Sequence, residues 1–237
     1  MLKGEMRAWY QPVVEAASGK VASHEGLLRW QHPTRGVIEP AEFIHLAEDT
    51  GLIQRLGEWL LGEACRWCAF IGAERGLPVS INLSARQFHD PKLAALVARV
   101  LKESGLPPQL LEFEVPEPVV MQNTDLALAV LRKLREQGVA VAIDGFGAAY
   151  SSLVGLRQLP VNKLKIDRTL VAEVHKEGKP IVAGIVSLAH ALDLKVTAVG
   201  VESEVQRDAL KACGCDYLQG FLVGKPADSE AASKDYV

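Results

Sequence analysis

Ala8-Trp-Tyr-Gln-Pro-Val-Val14 is followed by Glu15-Ala-Ala-Ser-Gly-Lys20 and then by Val21-Ala-Ser-His-Glu-Gly-Leu-Leu-Arg-Trp30. The flanking stretches are rich in β-branched, aromatic and aliphatic residues, and read as strands over Ala8–Val14 and Lys20–Trp30. A parallel crossover needs roughly a dozen residues or more. The link between them is far shorter, so it must be a hairpin and the two strands antiparallel.

Beyond the hairpin, strand-like and helical stretches alternate. Strands are expected at Pro78–Leu83, Leu111–Glu117, Ala140–Asp144, Lys163–Asp167, Lys195–Val199 and Tyr217–Phe221. Helices are expected at Pro40–Thr50, Leu52–Arg75, Lys92–Ser104, Thr124–Glu136, Lys179–Leu192 and Glu202–Ala212. Such alternation predicts parallel strands with helices outside them. With the hairpin, the strands suffice for an α/β fold of the (β/α)8, TIM-like barrel type in which strand 1 is antiparallel. A doubly wound sheet is disfavoured, because no Gly-x-Gly-x-x-Gly follows the first strand.

Composition narrows the function classes. The net charge of −3 gives no sign of a surface for nucleic-acid polymers or membranes. No run of about 18 apolar residues marks a membrane span. Cys65 and Cys68, with Cys213 and Cys215, invite a zinc reading, but the pairs lie far apart without knuckle residues around them. Buried free thiols fit better and imply a reducing compartment. The six histidines show no metal spacing, and no Gly-x-Ser-x-Gly elbow supports a serine hydrolase.

In barrels of this type, chemistry gathers at the carboxyl ends of the strands. Asn82, Glu117, Asp144, Asp167 and Gln219 fall there. A single such residue would be read as a helix cap or turn residue; several on one rim suggest a site. Glu25, Asn82, Glu117 and Asp144 are oxygen donors, which suit Mg²⁺, Mn²⁺ or Ca²⁺. A divalent cation there would polarise a phosphoryl oxygen. Lys165 alternates with Lys163 and Asp167 and would add a fixed positive charge, unless it is an ordinary rim lysine. Arg29, four residues after Glu25, suits a ligand phosphate or a structural carboxylate.

These motifs, in order, resemble those of the EAL domains, bacterial phosphodiesterases that open cyclic di-GMP to a linear dinucleotide. Glu25-Gly-Leu-Leu-Arg-Trp30, Asn82-Leu-Ser, Asp144-Gly-Phe-Gly, Tyr150-Ser-Ser-Leu, Leu164-Lys-Ile-Asp167, Gly200-Val-Glu202 and Gln219-Gly-Phe all match. The resemblance spans nearly the whole chain. It implies a barrel with one reversed strand, and one metal held by Glu25, Asn82, Glu117 and Asp144. It also places Lys165 and Gln219 beside the reacting water, Glu202 among the catalytic positions, and Gln11, Leu28 and Arg29 with Glu25, Asn82, Asp144 and Gln219 around the ligand.

The departures are specific. Gly145 stands where the family has a second aspartate, and Val199 where it has a glutamate. Both missing carboxylates belong to the second metal and the activated water. Gly147-Ala148-Ala149 replaces Gly-Thr-Gly, Pro116 a threonine, and Gly26 an alanine. A loss of about 4 kcal/mol of transition-state stabilisation would slow turnover about a thousandfold.

The expectation is therefore a degenerate member that binds cyclic di-GMP as a receptor, with Mg²⁺ or Mn²⁺ at one site at most, or none, and Ca²⁺ as a non-catalytic substitute. A protein-interaction scaffold without nucleotide binding and an active phosphodiesterase are the alternatives. Residues 1–237 are expected to form one barrel domain of a larger, multidomain signalling protein. That protein would be cytoplasmic or tethered to a membrane protein, with a homodimer and a protein partner as further expectations.

Overall fold

The computed structural model describes residues 4–71, 76–148 and 153–236. Ala149 and the Tyr150–Ser152 part of one motif lie outside these, as does the expected helix end at Arg75. The strands are β1 (Met6–Glu15), β2 (Val21–His32), β3 (Gly36–Ile38), β4 (Val79–Asn82), β5 (Leu111–Pro116), β6 (Ala140–Phe146), β7 (Lys163–Ile166), β8 (Lys195–Val199), β9 (Tyr217–Gln219) and β10 (Ala227–Asp228). The helices on the amino-terminal side are α1 (Pro40–Asp49), α2 (Leu52–Ile71), α3 (Ala85–Phe88), α4 (Leu93–Ser104), α5 (Glu117–Met121) and α6 (Thr124–Glu136). They are followed by α7 (Leu153–Leu156), α8 (Arg168–Ala172), α9 (Lys179–Ala191), α10 (Glu204–Ala212) and α11 (Ser229–Ala232).

The short link after β1 is a tight turn. Gly19 N–H donates to Glu15 O at 2.9 Å, and Glu15 N–H to Lys20 O at 2.8 Å. Gly19 takes φ +73°, a left-handed conformation that glycine adopts without a Cβ clash. β1 and β2 then pair antiparallel from Met6↔Trp30 to Val14↔Val21.

From β2 the ring runs in parallel through β4, β5, β6, β7, β8 and β9, and closes where β9 meets β1 antiparallel at Val14↔Leu218. Eight strands thus form a closed, TIM-like barrel with β1 reversed. Two short strands sit outside the ring. β3 folds back on the end of β2, and β10 pairs with β1 at Trp9↔Asp228. Neither was expected, because two or three residues show no readable period. β9 ends at Gln219 because the chain then presses against its neighbour. A Cβ on Gly220 would stand 2.2 Å from both Val201 N and Val201 O.

The pleat sorts residues into two environments. Leu111, Phe113 and Val115 of β5 are fully buried in the apolar layer between barrel and helices. On the other face of the same strand, Glu112 and Glu114 are also buried, but within the barrel. β7 answers them. Lys163 Nζ donates to Glu112 Oε1 at 2.9 Å and lies 5.2 Å from the Tyr217 ring centroid, while Lys165 bonds Glu114. The intervening strand, β6, offers the small Ala142 at this level. Two hydrogen-bonded Lys–Glu rungs therefore cross the interior, one above the other.

Cys65, Cys68 and Cys215 are buried free thiols. Burial pushes the Cys65 and Cys215 thiols up to about 12, and Cys68 up to about 11. Among the described residues no His, Cys, Asp or Glu cluster of metal-binding form occurs. Among them, too, no helix is long and apolar enough to cross a membrane.

Candidate ligand site at the barrel mouth

Glu25 is the hub of the upper end of the barrel. It lies on β2, is 7% exposed, and receives hydrogen bonds on both oxygens. Asn82 Nδ2 donates to Oε1 at 2.5 Å. Gln219 Nε2 and Lys165 Nζ donate to Oε2 at 2.6 and 2.9 Å. Burial alone would raise the Glu25 pKa, but the Lys165 charge and these donors outweigh it and hold the carboxyl below its usual range.

Lys165 is 3% exposed and bridges Glu25 to Glu114. Its ammonium is stabilised, against burial, by Glu114, Glu25 and Asp144, so its pKa lies above the ordinary lysine value. Glu114 is pushed up to about 8 by burial and by the Glu25 charge, against the pull of Lys165. Asp144, at the end of β6, is raised chiefly by burial, with Lys165 opposing.

Glu114 thus takes the place expected for Glu117. The reason is the pleat. Residues 112 and 114 point into the barrel, whereas Glu117 comes after Pro116, where the chain has already turned into α5. The Glu117 carboxylate is buried and its Oε2 accepts the Gly147 N–H at 3.1 Å. It braces the loop after β6 instead of joining Glu25. The alternation Leu111-Glu-Phe-Glu-Val115, set against Lys163-Leu-Lys-Ile166, was the sequence signal for Glu114.

The other expected residues divide. Gln11 is buried, donates to Gly224 O at 2.9 Å and accepts from Gln219 Nε2 at 3.4 Å. Arg29 is buried, donates to Leu28 O and lies 5.5 Å from the Trp9 ring centroid. Burial lowers its pKa while Glu39 and Glu25 partly restore it. Leu28 points the other way, into the apolar layer, and lines a cavity of about 260 Å³ against α1 and α2. That cavity also reaches Asn82, so Leu28 stands beside the mouth rather than in it. Glu202 is exposed, and its backbone N–H is held by Gln206 Oε1 at 2.8 Å in the capping segment of α10. It does not join the buried group around Lys165.

The residues suit at most one hard cation. Glu25, Asn82, Glu114 and Asp144 supply oxygen atoms of the right chemistry. Gln219 Oε1 is buried without a hydrogen-bond partner, which leaves an acceptor ready for a ligand or ion. No second set exists at Gly145 or Val199. Gly145 has φ +69°, and a Cβ there would meet nothing nearer than Asp167 Oδ2 at 3.9 Å. Val199 pairs with Gln219 at the end of β8 and presents only methyl groups.

Comparison with known proteins agrees with this architecture. Residues 1–226 match the family model described as EAL domain. The chain is 43% identical over 227 residues to the bifunctional diguanylate cyclase/cyclic di-GMP phosphodiesterase MucR of Pseudomonas aeruginosa, covering 93% of this chain and 33% of that protein. It is 39% identical to the cyclic di-GMP phosphodiesterase NbdA of the same organism, covering 94% of this chain and 29% of that one. The chain therefore spans about a third or less of the length of these curated relatives. Among solved structures, a complex of the PaMucR phosphodiesterase with c-di-GMP superposes with a TM-score of 0.93 at 42% identity, covering 96% of this chain and 94% of that one. With the fold, the ordered motifs and the family model in agreement, this chain belongs to the EAL domain family.

Proposed function

We propose that this domain binds cyclic di-GMP at the barrel mouth as a receptor and hydrolyses it slowly or not at all. The observation that carries the reading is the pair Gly145 and Val199. A left-handed glycine and an isopropyl group stand where two carboxylates would be needed to hold a second cation and a water. A two-metal site stabilises both the attacking and the leaving oxygen of a phosphodiester, and a single cation cannot do both. What remains favours binding: Arg29, Gln11, the open acceptor of Gln219 and the Lys165 charge. Relatives named as phosphodiesterases and a solved c-di-GMP complex support the ligand class. The free thiols fit a cytoplasmic setting. We read the domain as one module of a larger signalling protein, and a homodimer through its helices as part of the same proposal.

Calorimetric titration with cyclic di-GMP tests binding, and chromatography of the reaction with Mg²⁺ or Mn²⁺ tests cleavage. Saturable heat with no linear product over hours supports a receptor. Product at several turnovers per minute would show a working phosphodiesterase, and no heat at all would show a scaffold. The double reversion Gly145→Asp with Val199→Glu should raise turnover by up to about a thousandfold.

A further inference from the structure

We propose that α2 carries a self-complementary seam through which two copies of this chain pair antiparallel about a two-fold axis. The seam runs through Trp59, Glu63, Arg66 and Phe70, and the axis passes midway between Glu63 and Arg66. The inference gives a surface to the homodimer of the function proposed above, and it needs no nucleotide at the barrel mouth.

The surface follows from the hairpin. In a barrel of this type each strand is followed by a helix that covers the outside of the sheet, but β1 is followed by a tight turn. The outer face of β1 is met by α2 and the short α11, which do not close over it. A cavity of about 630 Å³ opens there, lined by Tyr10 of β1 and by Trp59, Glu63, Arg66, Trp67 and Phe70 of α2. Its floor is built: Tyr10 and Trp67 stack with ring centroids 3.7 Å apart, and Trp67 Nε1 donates to Ser229 O at 3.2 Å. Above that floor Trp59 is only half-buried and Phe70 is 90% exposed. One exposed apolar side chain calls for no partner. Two aromatic residues at the ends of one helix stripe, with a charge pair between them, form a surface.

The order along the helix names the partner. Trp59, Glu63, Arg66 and Phe70 fall within an arc of about 60° and span about 16 Å of helix axis. Their i, i+4, i+7, i+11 spacing is that of a helix-packing seam. The seam also reads alike from either end. A two-fold axis at its midpoint carries Trp59 against the partner's Phe70 and Glu63 against the partner's Arg66. An isologous contact requires this reciprocity, in which i meets j while j meets i. Within one chain Arg66 Nη2 already donates to Glu63 Oε1, and both side chains stay about half-exposed. Pairing brings the two copies of this ion pair together as a square of alternating charge. A parallel pairing in register would set Glu63 against the partner's Glu63 and Arg66 against the partner's Arg66, which repel. The sequence of α2 thus complements itself in one orientation and opposes itself in the other.

Sedimentation velocity of the whole chain tests the seam. About three turns of helix make a small interface, so dissociation is expected at about 10–100 µM. Glu63→Arg and Arg66→Glu should each weaken dimerisation at least about tenfold, because each sets like charges face to face. Mixed in equal amounts, the two variants should pair again as a heterodimer, with the basic residues of the seam on one copy and the acidic ones on the other. Phe70→Ser, at a side chain the fold leaves exposed, should also weaken the dimer at least about tenfold. Circular dichroism and Tm check that each variant is folded; if a charge variant is not, Phe70→Ser decides. Wild type that stays monomeric up to about 500 µM overturns the proposal and the homodimer with it. A dimer untouched by Phe70→Ser and by the charge variants overturns the seam alone and moves the homodimer to another face. Folded charge variants that weaken the dimer but fail to restore it on mixing overturn the antiparallel pairing.

Discussion

Replacing Lys165 by Met should weaken the fold by about 3 kcal/mol near pH 6, growing toward about 5 kcal/mol near pH 9. Met fills much of the space but removes the one cation facing both Glu25 Oε2 and Glu114. Breaking a buried ion pair from one side costs this much because the partner charge stays buried. Glu25 keeps Asn82 and Gln219, so its loss is partial. Glu114 loses its donor, but its raised pKa lets it take a proton in mild acid. Both carboxyls in the variant then have folded pKa values above their unfolded ones. The native state binds the extra protons, so stability is present below the unfolded values and drains as pH rises through the folded ones. Urea denaturation followed by circular dichroism reads this. With a slope of about 3 kcal/mol per molar, the midpoint should fall by about 1 M near pH 6, and further at higher pH. A deficit below about 1 kcal/mol at every pH would mean that the Lys165 bridge does not exist in solution, and the reasoning would fail.

Glu114→Gln should flatten the pH dependence of wild type. Glu114 is pushed up to about 8, so it contributes stability fully present below its unfolded value of 4.5 and lost as pH rises through 8; the unfolding free energy, read from denaturant titrations, should fall by up to about 1.4 kcal/mol per pH unit across that window in wild type and not in the variant. Gly26→Ala should stabilise by about 0.5–1 kcal/mol, read as a rise in Tm, because strand glycine is costly. The new Cβ would meet Ala64 Cβ and Ser80 O at 3.5 Å, ordinary contact. Gly145→Asp alone should cost about 1 kcal/mol from its φ of +69°; an unchanged or higher Tm would contradict that backbone. Gly147→Ala should likewise cost about 1 kcal/mol from its φ of +91°, with the end of the Leu170 side chain, 2.6 Å from the new Cβ, having to move aside, and faster amide exchange after β6 would report it.

The barrel was legible because its informative signals are local. A six-residue link forces the hairpin, and alternating strands and helices force the parallel remainder. Most strand ends fall within a residue or two of expectation. β3 and β10 were invisible because they exist only through pairing with β2 and β1. In the site, Glu25, Lys165 and Gln219 could be named from motif spacing. Glu114 was missed in favour of Glu117 because a motif gives order along the chain but not the parity of a pleat. Leu28 and Arg29, neighbours in one motif, part for the same reason: adjacent strand residues face opposite ways, so Leu28 meets the cavity against α1 and α2 while Arg29 turns inward. Glu202 needed the path beyond β8, where Ser203 and Gln206 close a helix cap and leave it outside.

The stacked pairs Glu112–Lys163 and Glu114–Lys165 also act as a key for assembly. Sliding β5 or β7 by one residue would thrust Leu111, Phe113 or Leu164 into the polar lumen and strand acids or lysines against the greasy backs of the helices. Few mispaired barrels could survive that exchange, so the same charges that equip the mouth also proofread how the staves are laid.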